Sequence, residues 1–395
     1  MTTIIVSGAI ANKPFNGGEA WVRLNWLLGL RKLGFQVYFV EQIDRQACRN
    51  VAGEITSFED CANRAYFNEV MAQFNLSNVA TLFHTENTQT VGLTYAELLD
   101  LADEAACLIN ISGHLAHEPL LRRIRRKVYI DIDPGFTQFW VAAGVGGARL
   151  CGHDVYFTIG ENIGTPACAI PTGDIAWRHT RQPVVLDEWP VSPIPLGCVP
   201  GEEEALRFTT IASWRGPYGP VHYDGRTYGL KVHEFRKFIE LPARAPGRFE
   251  LALAIHPADE RDQRLLHQHG WQLVEPQQVA ADPLRFRQYV QGSHAEFSVA
   301  QGIYVDTASG WFSDRTVRYL ASGKPVLVQD TGFSRHLPVG EGLLAFSTLP
   351  EALTGVQRIA ADYEDHCCAA RALATEYFDS DKVLVKLCEQ VGVAP

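Results

Sequence analysis

Short apolar runs alternate along the chain with amphipathic stretches almost from end to end. TIIVSGAI (3–10) precedes EAWVRLNWLLGLRKLG (19–34), where Trp21, Leu24, Leu28 and the neighbouring Leu27 and Leu30 form a broad stripe at helical spacing. Gly34 suits the end of that helix, and FQVYFVEQI (35–43) reads as a second strand. ACLINIS (106–112), KVYIDID (127–133) and DVYFTIG (154–160) are further short buried strands, each ending in a loop rich in Gly, Pro, Asp or His. The pattern then resumes with RFTTIASW (207–214) as strand, KVHEFRKFIELP (231–242) as helix and RFELALAIHP (248–257) as strand. GIYVDT and KPVLVQD (324–330) bracket the stretch SGWFSDRTVRYLASGKPVL (309–327), and the chain from Pro350 onward is helical. This alternation predicts right-handed βαβ units, with parallel sheets covered by helices on both faces.

At 395 residues the chain exceeds one comfortable core, so two domains are expected. PVVLDEWPVSPIPLGCVPGEEE (183–204) concentrates five prolines ahead of an acidic run and reads as a connection. The predicted organisation is an N-terminal domain over 1–195, a linker over 196–206, a second domain over 207–375 and a helical tail over 376–395 that packs back on the first domain. The predicted fold class is α/β, with two doubly wound Rossmann-like domains facing a cleft. Open sheets of this kind take ligands outside the carboxyl ends of their strands, so residues just after each strand become the candidates.

Composition narrows the partners. Hydrophobic residues at 46% and charged residues at 20% describe a soluble globular protein. A net charge of −10 argues against nucleic acid as partner, and the basic cluster LLRRIRRKVYI (120–130) reads as the solvated end of a helix. No window approaches the roughly 18 consecutive apolar residues of a membrane span, and MTTIIVSGAI lacks the layout of a secretory signal. The expectation is a cytoplasmic protein with no membrane partner. Nine cysteines without C-x-x-C spacing fit reduced thiols; Cys367 and Cys368 are expected to pack, and no metal site is expected.

Several strand ends carry chemistry. Gly17 and Gly18 open the first helix and let backbone approach a ligand closely, although a plain tight turn is the other reading. They form neither G-x-G-x-x-G nor G-K-[ST], so a dinucleotide oxidoreductase or an ATP site lacks its fingerprint. Arg215 at a strand end and Lys231 at a helix start suit a diphosphate, or are two solvated bases. Ser313 is placed to cap a helix that starts near Asp314, with Arg315 and the first-turn amides facing the loop as an anion site. Asp330 is placed to accept hydrogen bonds from sugar hydroxyls, or to form the turn before Gly332. Asp131 and Asp133 share one face of a strand end, where one is placed to deprotonate an acceptor hydroxyl; a cap and a buried acceptor are the alternative roles. His114 lies at another strand end, and Glu161 and Asn162 at the next, where they suit sugar hydroxyls. Phe136, Phe139, Trp140 and Trp214 offer stacking surfaces or core packing.

RYLASGKPVLVQDTGF followed by LPVGEGLLAFSTLPEAL resembles the donor-binding region of GT-B glycosyltransferases. NGGEAWVRLNWLLGLRKLGFQVYFV is similar to the first loop and helix of the retaining, sucrose-synthase-like branch, and Arg215 with Lys231 resembles its phosphate-binding pair across a longer loop. Arg318 stands where that branch has its second glutamate, and Asp306 and Asp314 keep its acid spacing in a different register. The resemblance implies transfer of a sugar from a nucleotide-diphosphate sugar to a soluble small-molecule acceptor, as in natural-product or glycoside biosynthesis, with no metal and no cofactor beyond the donor. It implies donor binding by Gly17, Gly18, Arg215, Lys231, Ser313, Asp314, Arg315 and Asp330. Asp131, Asp133 and His114 are then the catalytic candidates, with Glu161 and Asn162 toward the acceptor. A nucleotide-sugar epimerase on the same fold and a non-catalytic nucleotide-sugar-binding protein stay open, as do the nucleotide, the sugar and the stereochemical outcome.

Overall fold

A computed structural model of the chain describes residues 1–144, 149–192, 205–216 and 218–395. The first half contributes β1 (Thr3–Ser7), β2 (Gln36–Ile43), β3 (Ala80–His84), β4 (Thr90–Val91), β5 (Cys107–Ile111), β6 (Lys127–Asp131), β7 (Val155–Thr158) and β8 (Arg178–His179). They form one sheet in the order β4-β3-β2-β1-β5-β6-β7-β8, parallel apart from the β3–β4 pair. The second half contributes β9 (Arg207–Ser213), a hairpin of β10 (Val221–Tyr223) and β11 (Arg226–Tyr228), then β12 (Arg248–Ala254), β13 (Gln272–Val274), β14 (Ala295–Ser298), β15 (Val326–Gln329) and β16 (Leu343–Phe346). Outside the hairpin these make a fully parallel sheet ordered β13-β12-β9-β14-β15-β16. Central strands such as β3 and β5 are buried along their whole length, because helices cover both faces.

The first helix, Gly17–Lys32, is buried on most of its turns and ends before Gly34, which takes a φ of +92°. Its Trp21 anchors the junction between the halves. The ring packs 4.9 Å from Trp189 and 5.1 Å from Phe74, and its Nε1 donates to the Pro283 carbonyl at 2.8 Å. Gly29 lets Leu384 approach that helix, since a Cβ there would lie 2.6 Å from Leu384 Cδ1. The helix Ser380–Val391 therefore lies on the first helix, while Tyr363–Tyr377 packs on Asp314–Ala321.

Two local expectations change. The proline-rich stretch is laid down on the protein at its start: Val184 exchanges backbone hydrogen bonds with Phe378 and Ser380, and Trp189 is fully buried. Residues 193–204, most of the expected 196–206 linker, lie outside the described residues. GIYVDT, given no element from sequence, forms a short helix, Gly302–Asp306, and Cys368 faces solvent rather than packing. Among the described residues, no helix is long and apolar enough to cross a membrane.

Candidate functional site

The carboxyl ends of both sheets open onto one cavity of about 350 Å³. On the first half its wall begins after β1. Buried Glu41 of β2 accepts from the backbone N–H groups of Ile10, Ala11 and Asn12 at 2.8–2.9 Å and so fixes the path of the loop. That loop delivers Asn16, whose side chain caps the first helix through the Glu19 N–H at 3.1 Å. Glu19 is gripped by Lys13 at 2.7 Å and by Arg23 one turn on. Burial would raise the Glu19 carboxyl, but the two cations outweigh it and hold the group well below the usual carboxylate range. Gly18 lines the cavity, and a Cβ there would lie 2.9 Å from the Phe286 ring. Gly17 does not line it; its missing side chain makes room for the Asp282 carbonyl. Both glycines thus bring the two halves together, a close approach of backbone to protein.

The paired aspartates separate into different environments. Asp131 is buried, and accepts from Thr137 Oγ1 (2.8 Å), Gln138 Nε2 (2.7 Å), Thr158 Oγ1 (2.7 Å) and the Asp133 N–H (3.2 Å). Its oxygens are occupied behind the wall. Asp133 lines the cavity, with the Tyr304 hydroxyl 3.5 Å away. Burial, reinforced by Glu19 and Asp131 and opposed by Lys13, lifts its carboxyl to about 6. His114 is half-buried next to a left-handed pair, Ser112 and Gly113, and does not line the cavity. Burial, with Arg23 and Lys13 nearby, keeps it neutral down to about 3.

On the second half, Lys231 is buried in the cavity wall, and its Nζ donates to the Val299 carbonyl at 3.2 Å. Burial and Arg315, opposed by Glu296, bring its ammonium down to about 7. The helix Asp314–Ala321 starts at the cavity as expected, with Ser313 at its cap position. Among the described residues, however, the Ser313 hydroxyl makes no capping hydrogen bond, so the first-turn N–H groups are open to a ligand. Arg315 lines the wall but is well engaged: Nε donates to Glu296 at 2.6 Å, Nη1 to the Ile211 carbonyl at 2.8 Å and Nη2 to Ser298 at 2.6 Å.

Gly18, Asp133, Lys231, Ser313, Asp314 and Arg315 therefore meet at one cavity. Arg215 is half-exposed and bound in a fork by Asp259, outside the lining. Asp330 closes its own turn through the Gly332 N–H (2.8 Å) and Ser334 Oγ (2.6 Å). Glu161 takes Arg181 at 2.9 Å and lines a separate cavity of about 210 Å³. Asn162 clips the halves together, donating to the Ala308 and Gly332 carbonyls and meeting His336 at 2.7 Å. Sequence reasoning passed over Glu19, Tyr304 and Trp311, and noted Arg318 only as a departure from the resembled pattern; all four also line the wall. Trp311 sits inside the 309–327 stretch, and its ring stacks on Tyr304 at 4.4 Å. Phe136, Phe139 and Trp140 pack against Tyr218, Tyr223 and Tyr228 around the β10–β11 hairpin, and Trp214 is core.

No family profile and no curated protein sequence matches the chain. Among solved structures, it is similar to HepE of Anabaena in complex with UDP and glucose, with a TM-score of 0.59 at 12% identity over 99% of this chain and 100% of that one. An alpha-glucosyltransferase in complex with UDP and a 13-mer DNA gives 0.61 at 12% identity over the whole of both chains. Sucrose-phosphate synthase from Thermosynechococcus elongatus gives 0.54 at 13% identity, over 99% of this chain and 98% of that one. At such identities the architecture is what is shared. The chain has the GT-B glycosyltransferase fold, two Rossmann-like units facing a common cleft.

Proposed function

We propose that the chain is a glycosyltransferase of the hexosyltransferase type. It moves a sugar from a nucleotide-diphosphate sugar to a hydroxyl of a soluble small molecule, as in natural-product or glycoside biosynthesis. The observation that carries this reading is the meeting of Lys231 and the uncapped start of the Asp314–Ala321 helix with Asp133 across one cavity. An ammonium and free helix N–H groups stabilise the charge that develops on a leaving diphosphate, and no metal is needed for that. Asp133, raised toward neutrality yet ionised at pH 7, is the group able to accept the acceptor's hydroxyl proton. That HepE was solved with UDP-glucose supports a donor of this class. Gly18 and the Phe286 ring line the same cavity.

A thermal-shift screen against UDP, dTDP, GDP and ADP and their sugar conjugates tests the donor half, followed by an acceptor screen read by product mass. Stabilisation by one nucleotide family, and sugar transfer that survives EDTA, are expected. Conversion of the donor sugar with no acceptor present would instead mark an epimerase.

A further inference from the structure

Arg318 sits one turn inside the Asp314–Ala321 helix and lines the cavity, yet its side chain is only 1% exposed. Its Nη1 lies 2.9 Å from Asp314 Oδ2, off the line that a hydrogen bond needs. Neither its Nε nor its Nη1 has a hydrogen-bond partner among the described residues. The Phe286 ring, 5.3 Å from the guanidinium carbon, covers one face. Burial, together with Arg315 and Arg23, disfavours the Arg318 charge more than Asp314 and Glu19 favour it. A guanidinium carries five donors, and leaving them unmade in a buried wall is destabilising unless a ligand supplies oxygens.

The other cations of the neighbourhood sharpen this. Arg215 is held in a fork by Asp259 at a half-exposed position outside the cavity. Arg315 uses all three of its nitrogens on Glu296, Ile211 and Ser298. Arg318 is thus the arginine of the second half that faces the cavity with donors to spare.

We propose that Arg318 is the guanidinium that grips the donor's phosphate oxygens, in the part otherwise expected of Arg215, and that Asp314 neutralises it only while the site is empty. This rests on the donor reading given above. Phosphate oxygens take over the arginine in an ionic exchange, and the Asp314 carboxylate swings free.

Isothermal titration with inorganic pyrophosphate and with UDP, on the wild type and three variants, tests the exchange. Arg318→Met is expected to weaken pyrophosphate binding about tenfold or more, and Arg215→Ala to leave it within about twofold. Asp314→Asn removes the competing carboxylate and is expected to tighten pyrophosphate about threefold or more. The proposal is overturned by Arg318→Met binding like the wild type, or by Asp314→Asn binding pyrophosphate no more tightly than the wild type. Because Asp314 is 30% exposed, its variant decides the matter even when Arg318→Met fails to fold. A wild type that binds neither ligand brings down the donor reading itself. A wild type that binds UDP while Arg318→Met binds equally well brings down only the role of Arg318.

Discussion

Two titrating groups line the cavity, and under the proposed function each sets a limb of the pH profile. Lys231 sits near 7 because burial and Arg315 outweigh Glu296. A bound diphosphate raises that value, so binding takes up a proton wherever the empty site has lost one. Nucleotide affinity is therefore flat from about pH 6.5 to 7 and falls by up to tenfold per pH unit above it. Titration calorimetry from about pH 6.5 to 9 checks this slope, which Lys231→Met should flatten while weakening binding. Asp133, near 6, must be ionised to act as base, so kcat/KM rises through about pH 6 before Lys231 turns it down. Asp133→Asn should lower kcat by about 10²–10⁴-fold and leave UDP binding within about twofold. The sequence placed both aspartates at this strand end. It could not separate them, because the donors around Asp131 come from Thr137, Gln138 and Thr158, a choice made by packing.

At the scale of elements, the first helix and the Asp314–Ala321 helix do the positioning. Gly17 permits the first helix to touch the Asp282 carbonyl, a backbone group that cannot rotate away. Gly17→Ala is expected to cost about 1–3 kcal/mol in denaturant unfolding. Gly219→Ala, whose new methyl group would meet nothing within 4 Å, should stay within about 0.5 kcal/mol. The strand and helix alternation was legible because buried parallel strands leave continuous apolar runs between amphipathic helices. GIYVDT was not, since five or six residues carry too little periodicity to separate helix from strand. Ser313 was located correctly at the start of its helix, but local sequence did not reveal that its hydroxyl leaves the helix N–H groups free.

For the whole molecule, the halves are joined by more than the connecting segment. Trp21 reaches Pro283, the C-terminal helix returns to the first helix, and Asn162 ties its loop to Ala308, Gly332 and His336. Asn162→Ala leaves two carbonyls and a histidine without their partner, and should cost about 1–3 kcal/mol in unfolding free energy. Donor affinity of the folded variant should hold within about threefold, because Asn162 is no part of the cavity wall. Two-unit architecture was readable from the repeated strand pattern. The burial of Trp189 and the clip at Asn162 were not, because contacts more than a hundred residues apart leave no local signature.

A crystal structure of the chain grown with the nucleotide sugar that stabilises it most tests the proposed donor site. The diphosphate is expected between Lys231 Nζ and the N–H groups at the start of the Asp314–Ala321 helix, with the sugar toward Asp133. A nucleotide seated instead beside Glu161 and Arg181, or diphosphate oxygens held by Arg215 away from Lys231, would contradict it.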